Sequence, residues 1–265
     1  MFCLRENNKY GFLKLRFQCK RGTKKYKIVT SIIRYENILK SLTKQLFYKI
    51  FLNNFVNKQR LHHFKVCGVN LKIYDNYLSE PRHIAYELNH NVYIFDNINF
   101  KQGDVAIDIG ANVGMVSLLL AKKYPFLKIY AFEPCKPTYE SLKSNIKLNN
   151  IPDGTITAYN MAVTKDGRNI CMSYDSCASG NSNMFNFLNN NILCEKINNV
   201  KSITLDEIFK RHNINECKLL KIDCEGAEYE ILYNTKLENL KNINHLRGEF
   251  HEGITPPPHT HTQPS

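Results

Sequence analysis

Between residues 104 and 249 the chain alternates short apolar runs with amphipathic stretches of about ten residues. The apolar runs at 104–109, 128–133, 155–163, 200–204, 217–222 and 243–249 lie between Gly, Pro, Asn and Asp residues and read as strands. Helical spacing covers 113–124, 136–149, 206–212 and 226–233. Strands parted by helices predict βαβ units, and so a mostly parallel sheet with right-handed crossovers. Upstream, "FKVCGVNLKIYDN" reads as short strands around a turn, followed by a helix near 81–90. In 31–56, Tyr35, Leu39, Leu42, Leu46 and Ile50 form a helical stripe, with Lys40, Lys44 and Lys49 off it. Such a basic amphipathic helix packs on a neighbouring domain or lies on a membrane surface. Residues 1–30 have no pattern that assigns an element. The Asn- and Ser-rich segment 175–199 is expected to be a long loop, either a lid or disordered.

Charge divides the chain. Residues 1–66 hold 16 Lys and Arg against Glu6 and Glu36, whereas the other 199 residues hold 20 against 22. The overall +12 therefore belongs to the N-terminal quarter. Without a recognition motif this charge does not make a nucleic-acid site. Asn, Lys, Ile and Tyr are over-used throughout, as AT-rich coding would produce, so Asn clusters are given little structural weight. The nine cysteines are scattered, with no Cys-x-x-Cys and no zinc spacing, and fit reduced thiols. No apolar stretch is long enough for a membrane span, and no secretory signal opens the chain. A cytoplasmic protein is expected.

The candidate chemistry starts at "VAIDIGANVGMVSLLLA" (105–121). A glycine turn between a strand and a helix lets a ligand approach the backbone closely. Gly110 and Gly114 are spaced Gly-x-x-x-Gly, however, and Asn112 stands where the dinucleotide fingerprint requires its second glycine. Asp108, at the strand end, would repel a pyrophosphate and attract an ammonium group. This argues against the rival reading, an NAD-dependent oxidoreductase. The next strand ends "IYAFEP", and Glu133, 19 residues after Gly114, stands where an acid accepts hydrogen bonds from both ribose hydroxyls. An adenosine with an amino-acid tail suits both carboxylates, and S-adenosylmethionine is such a molecule.

A third motif, "LLKIDCEGAE" (219–228), runs from a strand into a helix start and gathers Asp223, Glu225 and Glu228 at the junction. Asp223 reads either as a helix cap or as a group facing ligand. Lys221, two residues before it, shares its strand face and is a candidate partner. Thr204 to Glu207 reads as a capping box. Taken in order, "GDVAIDIGANVG", "IYAFEP", "SITLDEIF" and "LLKIDCEGAE" resemble the FkbM family of methyltransferases over about residues 100–251. The resemblance implies a class I, Rossmann-like α/β fold that uses S-adenosylmethionine, usually to methylate a hydroxyl oxygen of a sugar or metabolite. It implies that Asp108, Gly110, Asn112, Gly114 and Glu133 bind the cofactor. Candidate general bases are Asp223, Glu225, Glu249 and His251, the last two matching an acid-x-His pair of the family. No metal is assigned.

The resulting division is a basic, partly helical extension at 1–63, a methyltransferase domain at 64–253, and a Pro/His/Thr-rich tail at 254–265, expected to be disordered. A complete class I sheet adds a hairpin after its fifth strand, and only fourteen residues follow His251. That shortness raises a second alternative, a truncated, non-catalytic methyltransferase fold acting as an interaction module. The expected partner is a small-molecule or glycan hydroxyl acceptor. The sequence does not read on oligomeric state.

Overall fold

The computed structural model describes residues 2–7, 13–18, 60–75, 81–175, 194–224 and 226–250. The chain divides into two compact units, Met1–Phe55 and Val56–Ser265. In the first unit, strands β1 (Phe2–Asn7) and β2 (Leu13–Gln18) pair antiparallel, where the sequence assigned nothing. The basic helix expected at 31–56 lies outside the described residues, as do Glu225 and the segment from His251 onward.

The second unit is built on a five-stranded parallel sheet. Its strands are β5 (Val105–Ile109), β6 (Lys128–Phe132), β7 (Ile156–Tyr159), β12 (Leu219–Ile222) and β13 (Leu246–Gly248). The spatial order is β13-β12-β5-β6-β7. The chain builds outward from β5 through β6 to β7, then returns to add β12 and β13 on the other side. β5 is therefore the point where strand order reverses, and the crevice for a ligand opens beyond the carboxyl ends of β5 and β12.

Side-chain alternation sorts these strands into two cores. Ile107, Ile109, Phe132, Leu220 and Ile222 meet Ile208 and Phe209 of helix α4 (Leu205–Arg211) and Ile231 of α5 (Glu228–Asn234). Ala106, Ile129 and Leu219 face the opposite way, towards α2 (Met115–Lys123). Every residue of α2 from Met115 to Ala121 is buried, because a further layer covers its outer side. That layer includes α1 (Pro81–Asn89) and the hairpin of β3 (Arg60–Val66) with β4 (Val69–Asp75), whose Val66, Leu71 and Ile73 join the same core. Cys67 and Gly68, both at positive φ, make the two-residue turn that suits the twist of paired strands.

Helix α3 (Lys136–Leu148) fixes the hairpin by an unusual edge. Asn149 accepts from the Lys72 N–H at 3.0 Å and donates to the Lys72 carbonyl at 2.6 Å. Asn145 does the same for Tyr74, at 2.7 and 3.0 Å, and donates to the Val113 carbonyl at 2.9 Å. Four helical residues rise about 6 Å and two strand residues about 6.8 Å, so the two amides fall in step with alternate strand residues.

The expected elements are present, with corrections. The run at 155–163 breaks because Asn160 donates its side-chain amide to the carbonyls of Glu133 and Pro134, both at 2.9 Å. Beyond the break, β8 (Ala162–Val163) pairs with β11 (Ser202–Ile203) outside the main sheet. The loop expected at 175–199 is not one throughout, since β10 (Cys194–Val200) pairs antiparallel with β9 (Ile170–Asp175), and the lid or disorder expected between them falls on residues 176–193, outside the described residues. Its strand character is hidden by Asn198 and Asn199, where the register shifts. Helix α6 (Leu237–Lys241) was not expected, and it buries none of its residues. The capping box of Thr204 and Glu207 at the start of α4 is present. Among the described residues no helix is long and apolar enough to cross a membrane.

Candidate active site

At the carboxyl ends of β5, β6 and β12 lies a cleft of about 290 Å³. Its floor is the turn Gly110–Val113. Only glycine fits at 110: φ is +74°, and a Cβ there would lie 1.8 Å from the Asp223 carbonyl oxygen. Gly114 has φ +93°, and a Cβ would meet Leu142 Cδ1 at 2.4 Å. Asn112 takes a left-handed φ of 51°, which Asn tolerates better than most residues.

Glu133 ends β6 on the cleft wall. Its Oε2 accepts the Asn112 N–H and its Oε1 the Cys135 N–H, each at 2.9 Å. Each oxygen keeps lone-pair capacity, so the carboxylate can still accept from a vicinal diol. Burial pushes the Glu133 carboxyl up to about 7, opposed by the Cys135 and Asn112 N–H groups and then by Lys221. A diol donates to the ionised form, so affinity for an adenosyl ligand is expected to rise about fivefold between pH 6 and pH 7 and about tenfold by pH 8, then level off. Calorimetry across pH 6–8 checks this, and a flat profile would remove Glu133 from the site. Folding has the opposite sign. Protonated Glu133 favours the folded state, and that contribution is lost as pH rises through about 7.

Asp108 and Lys221 are register partners on β5 and β12, on the α2 face of the sheet. Asp108 is 2% exposed and lies behind the cleft wall, not on it. Its Oδ2 accepts from Ser117 Oγ of α2 at 2.6 Å, and its Oδ1 faces Lys221 Nζ at 3.3 Å. The direct approach of a ligand ammonium to Asp108, expected from the sequence, is thus screened by Lys221. Lys221 lines the cleft, donates to the Gly110 carbonyl at 2.8 Å and sits 3.6 Å from Asp223 Oδ2. Burial alone would lower its ammonium pKa, but the charges of Asp108 and Asp223 outweigh burial and raise it.

Asp223 follows β12 and lines the cleft. It does not cap α5. Glu228 reaches back instead, its Oε1 accepting from the Cys224 and Gly226 N–H groups, both at 3.0 Å. Asp223 Oδ2 receives the Tyr93 hydroxyl at 3.2 Å as well as facing Lys221, while Oδ1 accepts no hydrogen bond among the described residues. Tyr93 stays protonated because burial, then the charges of Asp223 and Glu87, push its phenol well above the usual value. Glu249, just after β13, and Glu87 with His83 on α1 complete the mouth, His83 Nδ1 lying 3.1 Å from Glu87 Oε1. Burial raises the Glu87 carboxyl; His83 opposes this, while Glu249 and Asp223 add to it. Of the sequence candidates, Gly110, Asn112, Glu133, Asp223 and Glu249 therefore line one cleft, whereas Asp108 and Gly114 lie outside its lining. Glu225 and His251 lie outside the described residues.

Sequence reasoning missed Tyr93, Ser117 and the α1 pair. Ser117 carried a detectable signal, a lone polar residue in an apolar helix nine positions after Asp108. Tyr93 carried none, since 130 residues separate it from Asp223. No group of His, Cys, Asp and Glu among the described residues is arranged to hold a metal ion.

A parallel sheet in this order, with a glycine turn after its central strand and an acid ending the next, defines a class I methyltransferase fold. The chain belongs to the methyltransferase FkbM domain family, whose model matches residues 108–260. S-adenosylmethionine is the cofactor this membership implies. Among its relatives, Methyltransferase sdnD of Sordaria araneosa is 28% identical over 191 residues, covering 62% of this chain and 73% of that one. The hexuronic acid methyltransferase AglP of Haloferax volcanii is 23% identical over 156 residues, 59% of each chain. The solved SAM-dependent methyltransferase from Agrobacterium tumefaciens aligns over 63% of this chain and 40% of its own, at 9% identity and a TM-score of 0.36.

Proposed function

We propose that this chain transfers the methyl group of S-adenosylmethionine to a hydroxyl oxygen of a small-molecule or glycan acceptor, with Asp223 as general base. The observation that carries the reading is the state of Asp223. One oxygen is held by Tyr93 and faces Lys221, and the other is left to accept a proton in a cleft also lined by Glu133, a carboxylate suited to a diol. The groups present suit the cofactor. Glu133 is chemically matched to the ribose, and the Gly110–Gly114 turn allows close backbone approach. Met161, Ile170 and Met172 offer an apolar wall for an adenine ring.

When bound, the cofactor supplies an electrophilic methyl on a positively charged sulfur. The protein's part is mainly positioning, with a base that takes the hydroxyl proton as the acceptor oxygen gains the methyl. Asp223 Oδ1 takes that proton. The acidic mouth of Glu87, Asp223 and Glu249 disfavours a carboxylate acceptor, which would need no base and would meet like charges. A neutral hydroxyl suits it better. Sugars lead the acceptor classes to test; the hexuronic acid in the name of one relative carries both hydroxyls and a carboxylate, so the panel must separate an ether from an ester product.

The test is incubation with methyl-labelled S-adenosylmethionine and a panel of monosaccharides, hexuronic acids and hydroxylated metabolites. Label in a base-stable methyl ether is the expected result. Base-labile label would mean a methyl ester, and would overturn the hydroxyl assignment.

A further inference from the structure

Lys221 occupies an unexpected position for a site that must hold a cation. Its side chain is buried between Asp108 and Asp223, and it stands on the cleft wall with Asp108 behind it. Among the described residues it is the only cation paired with Asp223. Methyl transfer removes the positive charge from the sulfonium. A purely acidic wall would therefore stabilise the reactant more than the transition state and oppose turnover.

We propose that Lys221 is a specificity-determining residue of this pocket, limiting how strongly it prefers a sulfonium ligand over the uncharged thioether left after methyl transfer. This rests on the S-adenosylmethionine reading above. Its geometry suits the role. The Gly110 carbonyl, at 2.8 Å, holds the ammonium at the cleft, and Asp108 keeps it charged while contributing no cleft surface of its own. The nearest protein charge that a ligand meets from this pair is positive.

The experiment is calorimetry of the full chain with S-adenosylmethionine and S-adenosylhomocysteine, read as the ratio of the two affinities. Asp108→Asn leaves the Lys221 charge less compensated and is expected to lower the preference for the sulfonium. The double variant Asp108→Asn/Lys221→Met keeps the net charge, leaves no buried ion at 108, and removes the positive group from the wall, while the part-exposed Asp223 keeps its Tyr93 hydrogen bond. Its preference is expected to rise above wild type, opening a gap of about tenfold between the two variants. Equal ratios in both variants would overturn the proposal. Should Asp108→Asn not fold, wild type against the double variant decides it: a several-fold rise supports the role of Lys221, and no change overturns it. A folded wild type that binds neither compound would instead overturn the cofactor reading itself.

Discussion

Asp223→Asn is expected to lower methyl transfer by about 10²- to 10⁴-fold, the range typical of losing a general base. The amide keeps the shape and can still accept from Tyr93, but it takes no proton at neutral pH. Asp223 is 23% exposed and caps no helix, so the fold should tolerate the change. S-adenosylmethionine affinity should fall less than tenfold, because Glu133 and the glycine turn are untouched. Turnover with the acceptor identified from the panel, beside calorimetry on the same preparation, checks both halves. Unchanged turnover would leave Asp223 as a charge partner of Lys221 and nothing more.

The second large effect concerns stability. Asn145→Leu removes both hydrogen bonds to the Tyr74 backbone and the one to the Val113 carbonyl, at a residue with no exposed surface. Each buried group left without a partner costs about 1–3 kcal/mol, so a loss of about 3–5 kcal/mol is expected. At 2–4 °C per kcal/mol for a domain of this size, Tm should fall by about 10 °C. Urea unfolding monitored by circular dichroism measures it, and a loss below about 1 kcal/mol would show that the Asn145 amide is not what holds the hairpin. Val113 belongs to the cleft floor, so cofactor affinity should weaken in the same variant.

That asparagine also shows what the sequence could and could not reveal. Composition gave a reason to discount Asn clusters, and against a biased background Asn145, Asn149 and Asn160 look like their surface neighbours. In the structure they supply a false strand edge and the stop of β7. Nothing local distinguishes a side-chain amide that will meet a backbone 71 residues away. The parallel sheet, by contrast, was legible, because β5, β6 and β12 are short apolar runs whose ends are marked by Gly110, Pro134 and Asp223.

The place of the candidate site was legible in one half. Gly110, Asn112 and Glu133 follow directly from strand ends, where topology dictates position. Asp108 was read as a ligand contact because strand periodicity gives the face of a side chain and not what stands in front of it. Its neighbour in register, Lys221, comes from a strand added much later in the chain. The mouth of the cleft depends on Tyr93 and α1, which no motif marks. His83, Ile84 and Glu87 reach the cleft because α1 packs its Ala85 and Leu88 on the α2 core and leaves the remaining face towards the mouth.

The central claim is that the cleft takes an adenosyl sulfonium and not a dinucleotide. Thermal unfolding of the full chain with S-adenosylmethionine, S-adenosylhomocysteine and NAD tests it most directly. A ligand at 100 times its Kd stabilises by about 2.7 kcal/mol, equivalent to several degrees here. That shift is expected with both adenosyl compounds and not with NAD. A shift with NAD, or none with any of the three in a protein that unfolds cooperatively, would contradict it.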